Sequence, residues 1–287
     1  MDSIEKCIGF IKYFKFDKLM DAVLDDKGLT NYQDNVGGTL LHWAAVENNP
    51  EALKFLLDNG AQANSRDFHQ GTPLHWGAFR GKHETVKTLL AQGADPDLQD
   101  ECGRTPLHLA AMWGRTEVAE ILLQYKANIN LANCRRETPL HYSVYDKSGE
   151  IARLLLKNDA DLFALDEYQR TPLHWAAEEG CPEAMVVFIQ NLSDVNTRTK
   201  SGMTALHWAC CCGCIESVKM LLEKGADVNI TNVFGDTPLH FAALKDNVEV
   251  INLLLQHKAN PGIKNSQGEI PREYAKKKNN NESFLLL

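Results

Sequence analysis

The chain has 287 residues, of which 44% are hydrophobic and 24% are charged, which is the composition of a globular protein rather than a disordered one. Its formal net charge of −8 argues against a general nucleic-acid binder, because such proteins depend on a basic surface. No apolar run reaches the roughly 18 residues that a membrane-spanning helix needs, so none is predicted.

The first predicted element is an atypical leading segment, residues 1–33, in which Lys12 and Lys15 lie among apolar positions. Copies of Thr-Pro-Leu-His, some of them imperfect, then follow at a constant interval of 33 residues. They begin at Thr39, Thr72, Thr105, Thr138, Thr171, Thr204 and Thr237. An unbroken period of this length predicts a stack of similar supersecondary units.

Each unit predicts two helices, and the third copy illustrates them. Thr105 suits the N-cap of the first helix, and Pro106 suits its first position, where the missing N–H is not needed. Gly114 ends this helix, and a second helix with a buried stripe follows through Val118 and Leu122. A polar stretch rich in Asn, Asp and Gly then predicts a tight turn into the next unit.

The period divides the chain into seven complete units between two caps. We predict a leading cap at 1–33, repeats at 34–66, 67–99, 100–132, 133–165, 166–198, 199–231 and 232–264, and a trailing partial cap at 265–287. The last residues, Phe284 to Leu287, have two interpretations. They form a short covering helix, or they begin a unit that continues in a longer protein.

The combined pattern D-x-x-G-x-T-P-L-H-x-A-A and L-L-x-x-G-A-D-V-N resembles the ankyrin repeat, and the resemblance covers residues 34–264. It implies an all-α solenoid of stacked helix pairs with β-hairpin loops, whose concave face is formed by hairpin tips and first helices. It also implies protein binding without catalysis. The fourth unit position departs from the usual glycine at Gln70, Arg136 and Gln169, and Phe163 and Leu192-Ser193 also depart from the pattern, so we expect changes of hairpin geometry near the fourth and fifth repeats.

The repeat histidines and the cysteine cluster are candidate metal ligands by residue type. The repeat histidines are His42, His75, His108, His141, His174, His207 and His240. Stacked helices lie roughly 8–10 Å apart, whereas two zinc-bound nitrogens lie within about 4 Å, so these histidines are predicted to form structural hydrogen bonds instead.

The cysteine cluster is likewise not predicted to bind a metal. Zinc binding by Cys181, Cys211, Cys212 and Cys214 is conceivable, but no C-x-x-C pair recurs at zinc-site spacing. Together with Cys210 the cluster is too crowded and irregular for a disulfide framework. We therefore predict free thiols in the cytoplasm or nucleus, with no metal and no cofactor. Phosphate loops, nucleophile elbows and HExxH are absent from the sequence, so no enzyme is predicted.

An aromatic residue recurs at the tenth unit position. Its members are Trp43, Trp76, Tyr142, Trp175, Trp208, Phe241 and Tyr274, and Leu109 is the exception. We interpret them as a packing ladder between first helices. The alternative rests on resemblance to ankyrin domains that read methyl-lysine in histone tails, since Trp175, Glu178 and Trp208 match part of their aromatic cage. Arg170 stands where a further cage tryptophan is expected.

The resemblance to ankyrin repeats implies a recognition face at the second, third, fifth, thirteenth and fourteenth unit positions, with the last residue of the preceding unit. It carries eight basic and eight acidic residues and is neutral overall, which disfavours nucleic acid. Aromatic and arginine residues on it have the composition of binding hot spots. The predicted partner contacts are Phe68, Phe79, Arg80, Arg104, Trp113, Arg135, Tyr145, Tyr168, Glu178 and Glu179.

These observations predict a non-enzymatic scaffold for protein–protein interaction, with adaptor or chaperone-like behaviour. The predicted partner is a protein that presents an extended segment or a folded domain, with no nucleic acid and no membrane involved. We expect the chain itself to be a monomer.

Overall fold

The computed structural model describes residues 3–278 and 280–287, and these residues are helical apart from turns. The helices are α1 Ser3–Lys12, α2 Phe16–Asp25, α3 Leu40–Val46, α4 Pro50–Asp58, α5 Pro73–Arg80, α6 His83–Ala91, α7 Pro106–Met112, α8 Thr116–Gln124, α9 Pro139–Tyr142, α10 Glu150–Lys157, α11 Pro172–Glu178, α12 Pro182–Gln190, α13 Ala205–Cys212, α14 Ile215–Glu223, α15 Pro238–Leu244, α16 Val248–Gln256, α17 Pro271–Lys278 and α18 Asn281–Leu286. A 3₁₀ turn, Lys27–Thr30, follows α2. The all-α prediction is confirmed.

The chain forms two compact units. The first extends to Tyr142 and includes Leu154–Ala160, and the second comprises Ser143–Arg153 and Asp161–Leu287. Each unit contains neighbouring rows of first and second helices. In the first unit α5 packs between α3 and α7, and in the second unit α13 packs between α11 and α15. Paired alanines such as Ala44 and Ala45 are fully buried, which lets the first helices approach closely.

Each first helix begins at a threonine cap that is completed by the repeat histidine. In α5 the Thr72 hydroxyl accepts from the His75 backbone N–H, and the Thr72 backbone N–H donates to His75 Nδ1 at 3.1 Å. The imidazole thus takes the place of the Glu or Gln side chain of an ordinary capping box. The same arrangement recurs in α3, α7, α11, α13 and α15, which confirms the hydrogen-bonding interpretation of these histidines.

The fourth unit position keeps the same backbone conformation even where glycine is lost. Gln70, Arg136 and Gln169 have φ of 61°, 62° and 59°, the same left-handed region that Gly37 and Gly103 occupy at 81° and 78°. The expected change of turn geometry therefore does not occur at these three positions. Neighbouring turns are joined by single backbone bonds, such as Phe68 N–H to Val36 O at 3.2 Å, so no strand is assigned among residues 3–278 and 280–287.

The fourth repeat differs from the other repeats in its first helix, which is shorter. Helix α9 ends at Tyr142 after four residues, and the chain continues in turns and bends as far as Gly149. Within this stretch the Asp146 carboxylate accepts from the Ser148 hydroxyl at 2.7 Å, and the Ser148 hydroxyl accepts from the Glu150 N–H. Such local side-chain bonds favour turns over helix.

The last described segment forms the short helix α18, in agreement with the first of its two interpretations. The Ser283 hydroxyl donates to Asp246 Oδ1 at 2.6 Å, and Asn280 Nδ2 donates to the Ala243 carbonyl at 2.8 Å. These bonds hold the segment against the end of the α15 region.

Candidate functional site

The first unit contains a groove of about 410 Å³ on its turns and first helices. Its lining is mostly apolar, with two arginines and two aspartates among it. Its lining side chains include Trp43, Trp76, Phe79, Arg80, Asp100, Arg104, Leu109, Met112 and Trp113. A concave apolar surface with a few polar groups is the usual form of a binding site.

The groove lies where the aromatic ladder is interrupted. Trp43 and Trp76 each donate an indole N–H to the aspartate nine residues earlier, at 2.8 and 2.7 Å. In the third repeat the corresponding residue is Leu109, which is smaller and has no such donor. Asp100, at the aspartate position of that repeat, instead pairs with Arg104 at 2.8 Å. Replacing an indole by leucine leaves the space that forms the groove.

Two exposed aromatic rings border the groove. Phe79 and Trp113 are in edge-to-face contact, with their ring centroids 5.1 Å apart, and 47% of Trp113 is exposed. The Arg80 guanidinium lies over the Phe79 ring at 5.5 Å. Amphipathic rings beside an exposed arginine are frequent in binding hot spots.

Arg104 is held more firmly than Arg80. Its Nε and Nη2 atoms both contact Asp100 Oδ2 at 2.8 Å, and the Asp100 side chain is almost fully buried. Arg80 has no ion-pair partner in the described part of the chain. Of the two guanidinium groups, Arg80 is therefore the one available to a partner carboxylate.

The remaining predicted contacts of the first unit do not line the groove. Phe68 is 61% exposed, and Arg135 is exposed on the fourth turn. The structure thus brings together Phe79, Arg80 and Trp113 with Arg104, and leaves Phe68 and Arg135 outside.

In the second unit two of the predicted contacts, Tyr168 and Glu178, lie against Arg170. The Tyr168 ring lies 5.3 Å from its guanidinium, and Glu178 Oε2 accepts from Arg170 Nη1 at 2.7 Å. Tyr145 stands edge-to-face with Trp175 at 5.9 Å, and Glu179 is exposed. Burial raises the pKa of Glu178, and the opposing charge of Arg170 lowers it by less. Glu178 is thus part of an internal ion pair rather than a free acidic contact.

The methyl-lysine cage considered from the sequence is not open. The Arg170 guanidinium lies 5.0 Å from the centre of the Trp175 ring and is bonded to both Asp166 and Glu178. A cation of the chain itself therefore already lies against the Trp175 ring. This arrangement does not favour the methyl-lysine alternative.

The repeat histidines are buried and neutral. Burial lowers the pKa of His42, His108, His174 and His207 to about 4, with hydrogen bonds to backbone carbonyls opposing the shift. The cysteines are free thiols, and burial raises the pKa of Cys181, Cys210 and Cys212. Within residues 3–278 and 280–287, His, Cys, Asp and Glu side chains form no group suited to hold a metal ion.

Sequence reasoning missed part of the groove wall, namely Trp43, Trp76, Leu109 and Met112. Leu109 was the available signal, because it alone interrupts the aromatic series. Its significance depends on the space between neighbouring helices, which the repeat pattern does not specify.

Stacked helix pairs with threonine-capped first helices and a 33-residue period define a helical repeat protein. Family models for ankyrin repeats match residues 11–100, 74–166 and 162–232, and a second ankyrin model matches residues 211–255. The chain belongs to the ankyrin repeat family. No curated protein matches it. None of its described helices combines the length and the apolar character needed to cross a membrane.

Proposed function

We propose that this protein is a non-catalytic scaffold, an adaptor or chaperone-like protein, that binds a partner protein on the face formed by its turns and first helices. Ankyrin repeats are in general protein-interaction modules, and the family is typically without catalytic activity. The proposal includes a partner that presents an extended segment or a folded domain, and a location in the cytoplasm or nucleus.

The groove of the first unit is the observation that carries the proposal. Its indole and phenyl rings are partly exposed, and they line a groove of about 410 Å³ beside Leu109. An apolar side chain of a partner that enters this space buries aromatic surface. Each Å² of apolar surface removed from water stabilises the complex by about 25 cal/mol. The proposed anchor is therefore an aliphatic or aromatic residue of the partner.

Charge at the edge of the groove adds a second requirement. The Arg80 guanidinium is exposed and lies over the Phe79 ring. An acidic residue adjacent to the apolar anchor would pair with it, and such edge contacts mainly affect association rate and specificity. The proposed recognition element is an apolar residue with a neighbouring carboxylate.

Filling the groove tests the proposal directly. Leu109→Trp restores the aromatic residue found in neighbouring repeats, so the chain should remain folded while the space closes. We expect a partner that is captured from cell lysate by the wild-type chain, and identified by mass spectrometry, to bind Leu109→Trp at least tenfold more weakly in a titration with purified components.

The matched control is Tyr125→Ala, an exposed aromatic residue at the end of α8 that does not line the groove. This variant should bind as the wild type does. Equal binding by Leu109→Trp and the wild type, with both chains folded by circular dichroism, would place the contact elsewhere and contradict the proposed groove.

A further inference from the structure

The ladder residues follow a pairing pattern across nine positions. Three tryptophans donate their indole N–H to the aspartate nine residues earlier, in the pairs Trp43–Asp34 at 2.8 Å, Trp76–Asp67 at 2.7 Å and Trp175–Asp166 at 3.0 Å. Two tyrosine hydroxyls instead contact the asparagine nine residues earlier, in the pairs Tyr142–Asn133 at 3.1 Å and Tyr274–Asn265 at 3.2 Å. The polar end of each of these rings has a partner within its own repeat.

Trp208 breaks this pattern. The residue nine positions earlier is Thr199, whose hydroxyl accepts from the Met203 N–H at 3.1 Å and contacts the Ser201 hydroxyl at 3.0 Å. The Trp208 Nε1 atom is buried, and among residues 3–278 and 280–287 it has no hydrogen-bond partner. An unpaired buried donor is unfavourable, because the N–H has lost water without gaining an acceptor.

The unpaired indole belongs to a pocket of the second unit. This pocket has a volume of about 440 Å³ and is lined by Tyr168, Arg170, Thr199, Lys200, Ser201 and Trp208. Both Trp208 and the position that lacks its aspartate therefore line the same space. A ligand in this space lies next to the position at which the preceding repeat holds the Asp166 carboxylate.

The charges around the pocket determine the kind of ligand. The Lys200 ammonium is exposed and has no ion pair within the described residues. The Arg170 charge is balanced by Asp166 and Glu178. An unpaired N–H of one lining residue and an unpaired ammonium group of another favour an acceptor with negative charge.

We propose that this pocket binds an aspartate or glutamate side chain of the partner, whose carboxylate pairs with Lys200 and, once the buried edge of the indole is uncovered, accepts from Trp208 Nε1. The partner thus supplies the acceptor that Thr199 does not. This inference rests on the proposed scaffold function for the origin of the carboxylate. Recognition of the carboxylate itself can be tested without any partner.

The test follows the indole N–H signals of the ¹⁵N-labelled chain by NMR. The chain has five tryptophans, and the Trp208 signal is identified by its loss in Trp208→Phe. The probe is N-acetyl-glutamic acid N-methylamide, and its glutamine analogue is the comparator. We expect the glutamic acid compound to shift the Trp208 signal in a saturable manner, at least tenfold more tightly than the glutamine analogue.

Thr199→Asp provides the matched variant, because it restores the aspartate of the other tryptophan-bearing repeats. In this variant the Trp208 signal should already be displaced without ligand, the melting temperature should rise, and affinity for the probe should fall at least tenfold. Thr199→Ser, which adds no carboxylate, should respond to the probe as the wild type does.

Three results would overturn the inference. They are a Trp208 signal that does not respond to the glutamic acid compound, equal responses to the two analogues, or unchanged probe affinity in Thr199→Asp. A stronger response to inorganic phosphate than to the carboxylate would also reassign the pocket. None of these results depends on partner capture, so failure of the groove proposal with Leu109→Trp is a separate outcome.

Discussion

His75 Nε2 lies 2.9 Å from the backbone carbonyl oxygen of Arg104, 29 residues further along the chain. A carbonyl only accepts, so the ring donates from Nε2, and its Nδ1 is free to accept from the Thr72 backbone N–H. The imidazole is therefore neutral and joins the cap of one helix to the turn of the next repeat. Equivalent bonds from His42, His108, His207 and His240 repeat this connection.

These neutral imidazoles predict a pH-dependent stability. Burial lowers the pKa of His42, His108, His174 and His207 from 6.5 to about 4, so between these values the unfolded chain binds more protons than the folded chain. The free energy of unfolding should be highest above pH 6.5 and fall as the pH drops towards about 4. Each imidazole contributes up to about 1.4 kcal/mol per pH unit in this window.

Urea unfolding at pH 7.5, 6.5 and 5.5 measures this effect, because these values lie above the range in which most carboxylates take up protons. A single-histidine variant, His108→Gln, serves as the control and should show a smaller slope. A free energy of unfolding that stays constant between pH 7.5 and 5.5 would contradict the neutral assignment.

Trp175 and Trp113 are expected to separate folding from binding. Trp175 is 5% exposed and donates to Asp166, so Trp175→Ala should leave a cavity and remove one hydrogen bond of Asp166, and cost roughly 3–5 kcal/mol of unfolding free energy. Trp113 is half-exposed, so Trp113→Ala should change the melting temperature little. Calorimetry on the two variants makes the comparison. Unfolding of Trp113→Ala would show that this residue is core.

Trp113→Ala should nevertheless weaken partner binding. Its ring and that of Phe79 form one side of the groove, and loss of a hot-spot aromatic residue costs about 2 kcal/mol or more. This corresponds to a roughly thirtyfold higher dissociation constant, measurable by titration calorimetry. Phe234→Ala, in the second unit, is the control. If Phe234→Ala lost binding while Trp113→Ala bound as the wild type does, the binding site would lie in the second unit and not at the groove.

A glycine at position 70 should stabilise the chain. Gln70 holds φ of 61°, which costs a residue with a side chain about 1 kcal/mol, and Gln70→Gly should recover a comparable amount of unfolding free energy. The reverse change, Gly103→Gln, should be strongly destabilising, since its Cβ would lie 2.6 Å from the Cys134 nitrogen. Urea unfolding measures both variants. A loss of stability in Gln70→Gly would show that the Gln70 side chain makes a favourable contact.

The cysteine cluster predicts no dependence on zinc. Cys210 is fully buried, and Cys212 Sγ lies 3.2 Å from the Ala177 carbonyl, so these thiols are engaged in packing and weak hydrogen bonds. A chelator should leave the melting temperature of the reduced protein unchanged, and elemental analysis should find no stoichiometric metal. One zinc per chain that is lost in Cys211→Ser with Cys212→Ser would reverse this conclusion.

The sequence predicted the fold well because each repeat contains its own local signals. Threonine and proline fix where a first helix begins, and the period of 33 residues repeats this start without interruption. The shortening of α9 was not predicted, since Asp146 and Ser148 compete with the helix through bonds that depend on the local turn. Local competition of this kind is weakly specified by a repeat pattern.

The candidate site was predicted less completely. Exposed residues such as Phe79 and Trp113 followed from their unit positions, but the groove depends on the volume left beside Leu109. The orientation of Arg170 over Trp175 could not be predicted from the sequence either, because it depends on Trp175, Asp166 and Glu178 together. By contrast, the absent acceptor of Trp208 could have been read from the nine-residue spacing in the sequence alone.

The hydrogen bonds of the repeat histidines can form only in chain order while the protein is being synthesised. Each ring finds its carbonyl in residues that leave the ribosome later, with 29 residues separating His42 from Gly71 and His240 from Glu269. During translation the newest repeat therefore remains without its closing bond until its successor has emerged. A growing chain therefore always ends in one repeat whose histidine still lacks its carbonyl partner.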